Sequence, residues 1–182
     1  MNYFIDCGAF RGSTIRKARS LFPDYKIIAF EPNPYMKCDY GEDVTVLRKA
    51  VWIEDCTLPM YLHKDKPVSS SSTIIKAKDR HPLNKKNPVY IEAIKFSRWL
   101  LWEFKAMVNW CPDDIIILKM DIEGAEYEVL NNLIDGHAID YINELYIEWH
   151  WSKMGYPYEK HKKLKEKLKN LVKLHGEFKV DS

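Results

Sequence analysis

The sequence predicts an α/β protein in which helices cover both faces of a doubly wound, mostly parallel sheet. Short apolar segments at residues 3–6, 26–30 and 115–120 are separated by segments with helical spacing of apolar residues, a pattern typical of parallel sheets. The segment 115–120 is almost continuously apolar, as expected of a central strand that is buried on both faces. The length of 182 residues fits a single domain over residues 1–182.

The first half of the chain begins with a predicted strand–helix–strand unit. A helix is expected over residues 14–22, where a Pro-Asp pair ends it, and the strand at 26–30 follows. The segment 44–51 predicts a third strand, and the segment 57–62 predicts an additional one. Residues 63–88 are polar, rich in lysine and interrupted by proline, which predicts a mobile loop that could act as a lid.

The second half continues the alternation. A strand is predicted at 89–94, and Ser97 is a candidate N-cap for the helix that follows it. After the central strand we expect a helix over 125–134 and a strand over 144–151. A lysine-rich amphipathic helix then precedes a short strand at 178–180. So little chain remains that the C-terminal edge of the sheet should be short, either because the sheet is minimal or because a second copy covers the edge in a homodimer.

Charge and cysteine usage exclude several partners. Lys and Arg number 28 and Asp and Glu number 26, which gives a net charge of +2. A charge this small argues against nucleic acid or an anionic membrane surface as the main partner. The chain has no apolar segment of bilayer-spanning length, so no membrane insertion is expected. The four cysteines are dispersed, which suits a reducing compartment, and a cytoplasmic location is predicted.

A glycine-containing turn, DCGAFRG at residues 6–12, joins the first strand to the first helix. Gly8 and Gly12 allow a ligand to approach the backbone, and the helix N-terminus offers N–H groups. Glu31 ends the second strand, where a carboxylate can accept hydrogen bonds from both hydroxyls of a ribose. The spacing is not the dinucleotide pattern G-x-G-x-x-G, and the leading Asp6 suits an ammonium group better than a pyrophosphate. An ordinary turn with a surface glutamate is the simpler alternative, which the strand–turn–helix–strand context disfavours.

A cluster of charged residues follows the central strand. Lys119, Asp121 and Glu123 lie at its carboxyl end, where open α/β sheets place their ligand crevices. A carboxylate there could accept a proton from a reacting group that is held in place. Glu126 lies in the first turn of the next helix, where a favourable interaction with the helix dipole explains it equally well.

The predicted strand at 144–151 carries two further ionisable groups. Its alternation would place Tyr146, Glu148 and His150 on one face. Because buried ionisable groups are costly unless they are paired or used, His150 is predicted to be a general base that Glu148 or Asp121 orients, with a satisfied buried histidine as the alternative. Asp121, Glu148 and His150 could instead hold a divalent cation such as Mg²⁺. We do not favour the cation, since these groups also make an adequate metal-free site.

Three segments in this order, FIDCGAFRG at 4–12, AFEPNP at 29–34 and KMDIEGAE at 119–126, resemble the FkbM-type methyltransferases over residues 3–150. The resemblance implies a Rossmann-like, class I methyltransferase fold and S-adenosyl-L-methionine as the cofactor. It further implies a set of cofactor-binding positions. These are Asp6, Cys7, Gly8, Ala9, Gly12, Ser13, Thr14, Glu31, Pro32, Asn33, Ala50, Val51, Ser71, Ser72 and Asp121.

The expected activity is O-methylation of a hydroxyl, in a glycan, a glycoside or another small-molecule acceptor. Asp121 and His150 are expected to remove the proton, and the remaining catalytic candidates are Lys119, Glu123 and Glu148. A nicotinamide-dependent oxidoreductase is the same-fold alternative, which the missing G-x-G-x-x-G disfavours. A non-catalytic adenosyl-binding module is the second alternative. The helical tryptophans Trp99, Trp102 and Trp110 are expected to be core rather than a platform for sugar rings.

Overall fold

The computed structural model describes residues 1–76 and 82–179. The strands are, in chain order, β1 (Asn2–Cys7), β2 (Tyr25–Phe30), β3 (Val44–Leu47), β4 (Ala50–Trp52), β5 (Cys56–Met60), β6 (Val89–Lys95), β7 (Ile116–Met120), β8 (Glu144–Ile147) and β9 (Lys173–His175). The helices are α1 (Ser13–Leu21), α2 (Phe96–Arg98), α3 (Lys105–Val108), α4 (Glu126–Asp135) and α5 (Tyr158–Lys169), with a π-helical segment Trp99–Phe104 between α2 and α3. Short 3-10 helices lie at Ala138–Tyr141 and Trp151–Lys153.

The main sheet has six parallel strands in the order β3-β2-β1-β7-β8-β9. One face packs against α4, α5 and the helical segment 96–108, and the other packs against α1 and Phe178. The α/β prediction is therefore confirmed. Within the described residues the main sheet ends at the three-residue β9, so its C-terminal edge is short as expected. No helix in this part of the chain combines the length and apolar character needed to cross a membrane.

The central strands form where the sequence is most continuously apolar. All five residues of β7 are buried, between β1 and β8. In β1 the pleat sends Tyr3, Ile5 and Cys7 to the face covered by α4, and it sends Phe4 to the face covered by α1. Because parallel strands end at one edge, the residues that follow β1, β2 and β7 come together there.

The predicted strand at 44–51 is wrong as a single element. The chain leaves the main sheet after Leu47, and β4 pairs instead with β6 in a second sheet of order β4-β6-β5. Val51 and Ile94 face the main core, while Ala50 and Ala93 belong to a separate small core. Residues 44–51 are apolar enough for one strand, but only tertiary pairing divides them between two sheets.

Three further boundaries differ from the predictions. The strand predicted at 144–151 ends at Ile147, so its alternation does not orient His150. The short C-terminal strand is Lys173–His175 rather than 178–180; Phe178 packs on Phe4 instead, and Val180 lies outside the described residues. Ser97 is no N-cap, because α2 starts at Phe96 directly after β6 and the Ser97 hydroxyl donates to Asn132 Oδ1 at 2.6 Å.

The first part of the predicted loop at 63–88 is tied to the rest of the fold. Tyr61 pairs with Thr73 and His63 with Leu83 through isolated antiparallel bridges. Asn33 Nδ2 donates to the Pro67 carbonyl at 2.8 Å, which holds the loop against the end of β2. Its action as a lid stays a prediction, and its residues 77–81 lie outside the described residues.

Candidate active site

A pocket opens at the carboxyl edge of the main sheet, beside the small sheet. Its lining comes from the ends of β1, β2 and β7, from β4 and β5, and from the loop at 69–74. The lining includes Gly8, Glu31, Asn33, Val51, Thr73 and Asp121. This is the place that the topology of a doubly wound sheet predicts for a ligand.

Glu31 is held rigidly at the β2 end of this pocket. Its Oε2 accepts the Phe10 N–H and its Oε1 accepts the Asn33 N–H, both at 2.8 Å. Burial raises the pKa of Glu31, and these two backbone donors oppose that rise. Since each carboxylate oxygen can accept more than one hydrogen bond, the group can still receive two hydroxyls of a ribose.

The turn after β1 differs from a pyrophosphate-binding turn. The N–H groups of Gly8 and Ala9 donate to the Phe30 carbonyl at 3.0 and 3.1 Å, and the Gly12 N–H donates to the Ala9 carbonyl at 2.8 Å. With the Phe10 N–H on Glu31, these four donors are used inside the chain. An anionic diphosphate would need such donors. These four N–H groups of the turn are therefore not available to a ligand, whereas the N-terminus of α1 begins at Ser13.

The glycines of the turn are required by packing within the chain. Gly8 has φ +92°, and a Cβ there would lie 1.9 Å from the Asp121 carbonyl oxygen. Gly12 has φ +72°, and its Cβ would lie 3.0 Å from the Tyr40 ring. The close approach of two strand ends, rather than of a ligand, thus explains Gly8.

We expect Gly8→Ala to destabilise the fold by about 2 kcal/mol more than Gly155→Ala, measured by urea unfolding. Gly155 has φ +63° with nothing within 4 Å of the added Cβ, so that variant measures backbone strain alone. Gly176→Ala, with open space around it and no positive φ, should be nearly neutral. Equal losses at Gly8 and Gly155 would contradict the steric argument.

Asp6 does not lie in the pocket. Its carboxylate is fully buried on the α1 face of the sheet, with Oδ1 3.1 Å from Lys119 Nζ. Lys119 also donates to the Gly8 carbonyl at 3.0 Å. Burial alone raises the pKa of Asp6 and lowers that of Lys119, but the Asp6 and Asp121 carboxylates reverse the effect on Lys119 and raise its pKa. The pair therefore joins β1 to β7 as a buried ion pair, and the ammonium-binding role of Asp6 is not what this geometry favours.

Only part of the residues predicted to bind the cofactor line the pocket. Those that do are Gly8, Glu31, Pro32, Asn33, Ala50, Val51, Ser72 and Asp121. Cys7 and Ala9 are buried in the two cores, and Ser71 is buried beside the Ser69 hydroxyl. Ser13 and Thr14 line a second, polar cavity.

The second cavity lies at the start of α1. It is lined by Ser13, Thr14, Lys119, Asp121, Glu148, Glu177 and Phe178. Asp121 therefore lines both cavities and stands between them. The cavity offers hydroxyl, ammonium and carboxylate groups, which suits a ligand rich in hydroxyls.

Four side chains converge beyond the ends of β7 and β8. His150 is fully buried, and its Nε2 lies 3.3 Å from Glu148 Oε1, 3.6 Å from Glu123 Oε2 and 3.9 Å from Asp121 Oδ1. The structure thus brings together the catalytic candidates Asp121, Glu123, Glu148 and His150, although His150 is not on a strand. Lys119 reaches the edge of this group, 3.6 Å from Asp121 Oδ2.

The charges of this group shift one another. Burial, together with Glu148 and Glu123, raises the pKa of Asp121 to about 6 against the opposing effect of Lys119. Burial lowers the pKa of His150, but Glu126 and Glu148 outweigh it and raise this pKa to about 10. Contact with His150 in turn lowers the pKa of Glu148. Among the four, Asp121 alone faces both cavities, whereas His150 has no exposed surface.

Sequence reasoning underrated Glu126. This carboxylate is fully buried, and it accepts the N–H groups of Ile122 and Gly124 at 3.0 Å as well as His150 Nδ1 at 2.9 Å. It therefore fixes both the turn that carries Glu123 and the ring of His150. The sequence shows only an acid in a first helical turn, which many helices have. Thr73 was also missed: its hydroxyl donates to the Glu123 carbonyl at 2.7 Å.

The parallel strand order, the carboxylate that ends β2 and the pocket at the carboxyl edge define a protein of the Rossmann-like methyltransferase fold. The family model described as "Methyltransferase FkbM domain" matches residues 6–174. The chain therefore belongs to the FkbM methyltransferase family, as its motifs predict, and it is a methyltransferase. Neither the curated proteins nor the solved structures that were compared with it include a match.

Proposed function

We propose that the protein is an S-adenosyl-L-methionine-dependent O-methyltransferase whose acceptor is a hydroxyl of a sugar in a glycan or glycoside. The observation that carries the proposal is the position of Asp121, which lines both the pocket beside Glu31 and the polar cavity beside α1. A donor in the first cavity and a hydroxyl in the second would then meet at one carboxylate.

The pocket suits an adenosyl ligand with a positive charge. Glu31 would receive the ribose hydroxyls, and Phe30, Val51 and Met60 provide apolar surface for a base. Asp121 and Glu123 add negative charge at the other end of the lining. The nicotinamide alternative loses support, because the N–H groups of residues 8–10 and Gly12 are not available to a diphosphate.

When bound, S-adenosyl-L-methionine would supply the methyl group of its sulfonium; the hydroxyl oxygen would bond to that methyl carbon as the S–C bond breaks, and S-adenosylhomocysteine would be the leaving group. The polar cavity would hold the acceptor through Ser13, Glu148 and Glu177, so that its oxygen is oriented before reaction. Asp121 would take the hydroxyl proton as the oxygen gains its methyl group. We assign this role to Asp121 rather than to His150, because His150 is fully buried and lines neither cavity.

Calorimetric titration with S-adenosylmethionine, S-adenosylhomocysteine and NAD tests the cofactor. Binding of NAD but of neither adenosyl ligand would overturn the proposal. A panel of glycosides with a labelled methyl donor then tests the acceptor, with each active glycoside paired with the analogue that lacks the methylated hydroxyl. Labelling of amines alone would contradict the hydroxyl assignment. Adenosyl binding without turnover on any acceptor would favour the non-catalytic module.

Glu31→Gln is expected to weaken S-adenosylhomocysteine binding by about tenfold or more. The amide keeps one acceptor oxygen, so its NH₂ group must face either the Phe10 or the Asn33 N–H, and a charged acceptor for the ribose is lost. A hydrogen bond to a charged group contributes about 1.5–3 kcal/mol, and 1.4 kcal/mol corresponds to tenfold. Glu42→Gln, at an exposed acid, is the matched control. Calorimetry that finds equal affinity for both variants would exclude Glu31 as a ribose ligand.

A further inference from the structure

Two buried polar atoms in the acidic group lack a hydrogen-bond partner within the described part of the chain. They are His150 Nε2 and Asp121 Oδ1. His150 has no exposed surface. Such atoms are rare in folded proteins, and a site for a bound ion is one accepted explanation.

The unpartnered atoms point to one place. One ligand atom each from Asp121, Glu123 and His150 lie within 4.8 Å of one another. Two ligand atoms that are each about 2.1 Å from a common ion lie about 3.0–4.2 Å apart at angles of 90–180°. The 3.6 Å and 3.9 Å distances from His150 Nε2 to Glu123 and Asp121 fall in this range.

Glu126 orients the histidine as a ligand. Its carboxylate faces Nδ1 at 2.9 Å, which places the proton on that nitrogen and directs Nε2 toward the three other carboxylates. A carboxylate behind a histidine in this way is a common arrangement in protein metal sites. Glu126 also accepts the N–H groups of Ile122 and Gly124, so the same group positions the Glu123 ligand.

The charge balance favours a cation. Asp121, Glu123 and Glu148 approach within 3.3–3.9 Å of one ring nitrogen. Two ammonium groups contact these carboxylates: that of Lys119 lies 3.6 Å from Asp121, and that of Lys153 lies 3.9 Å from Glu148. Carboxylates this close repel one another, and a divalent ion that takes the place of the proton on His150 Nε2 would add one further positive charge among them and replace that repulsion by attraction.

We propose that Asp121, Glu123 and His150 form a binding site for a divalent first-row transition metal ion such as Mn²⁺, with Glu148 beside it and Glu126 as the positioning residue. One imidazole with two carboxylates suits such an ion better than Mg²⁺ or Ca²⁺, which prefer oxygen ligands alone. Because Asp121 lines both cavities, the ion would lie where an acceptor hydroxyl could coordinate it. This role toward the acceptor rests on the proposed function, whereas metal binding itself does not.

Titration of chelator-treated protein with Mn²⁺, followed by electron paramagnetic resonance of the free ion, tests the site. We expect one ion per chain in the wild type. Asp121→Asn and Glu123→Gln, which keep the side-chain shape, should each weaken binding by more than about tenfold, and Glu126→Gln by about 10–100-fold. Glu144→Gln is the matched control, because Glu144 also contacts a histidine, His175 at 2.9 Å, but lies at the N-terminal end of β8, away from the proposed site. The Mn²⁺ affinity of this variant should equal that of the wild type.

Two results would overturn the site. One is the absence of saturable Mn²⁺ binding by the folded wild type, and the other is unchanged affinity in both Asp121→Asn and Glu123→Gln. Thermal melting of each variant confirms that it is folded. S-adenosylhomocysteine binding, measured on the same samples without metal, keeps the two proposals apart. If that ligand binds and Mn²⁺ does not, the metal site fails and the proposed function stands.

Discussion

Asp121→Asn is expected to lower methyl transfer by about 10²–10⁴-fold while S-adenosylhomocysteine affinity stays nearly unchanged. The amide has the shape of the carboxylate but cannot take a proton from the acceptor. Asp121 is the residue that lines both cavities, so no other described carboxylate of the group has the same access to both. Initial rates with a labelled methyl donor and a glycoside acceptor, together with calorimetry, measure the two effects separately.

The control for this prediction is Asp135→Asn, at an exposed position at the end of α4. It should match the wild type in both measurements. Full activity of Asp121→Asn would show that the proton acceptor is elsewhere. Recovery of activity in that variant by saturating Mn²⁺ would show that Asp121 acts only as a metal ligand, and would also contradict its role in proton removal.

Lys119→Met is expected to destabilise the protein by about 3–5 kcal/mol. The thioether removes the cation that lies 3.1 Å from the fully buried Asp6 carboxylate, and it leaves that charge without compensation in the core. Urea unfolding at neutral pH measures the loss. Lys169→Met, at a half-exposed lysine on α5, should change the free energy of unfolding only slightly.

The double variant Asp6→Asn, Lys119→Met should recover most of the lost stability, because neither charge remains. If the double variant is folded and still transfers methyl groups, Lys119 is a structural partner of Asp6. If it is folded and inactive while the single Asp6→Asn variant is active, Lys119 has the catalytic role that the sequence suggested. A single Lys119→Met variant as stable as the wild type would contradict the ion pair itself.

The main sheet could be predicted because its strands have unusual composition. Residues 115–120 are nearly all apolar, and in an α/β protein a segment of that length and composition is typical of a central parallel strand. The structure of segment 44–51 was harder to predict, because composition does not indicate which neighbouring strand a segment will pair with. Its division between β3 and β4 depends on β6, which lies about forty residues later in the chain.

Residues of the candidate site could be predicted where a position at a strand end is enough to place the residue in the pocket. Glu31 and Asp121 both line the pocket because the ends of parallel strands meet at one edge. Asp6 failed as a pocket residue because the pleat of β1 directs it to the α1 face, where Lys119 faces it in register. His150 joins the cluster even though β8 ends at Ile147, so the strand alternation used in the prediction is not what places it there.

By itself, the sequence determined the fold class, the methyltransferase family and the strand ends at which the candidate carboxylates lie, since these follow from local apolar patterns and short motifs. The tertiary structure decided which polar groups face one another. It buried Asp6 against Lys119, directed Glu126 toward His150 and placed Asp121 between two cavities. The physical reason is that side-chain direction and pairing depend on register and on the packing of elements far apart in the chain, which local spacing does not encode.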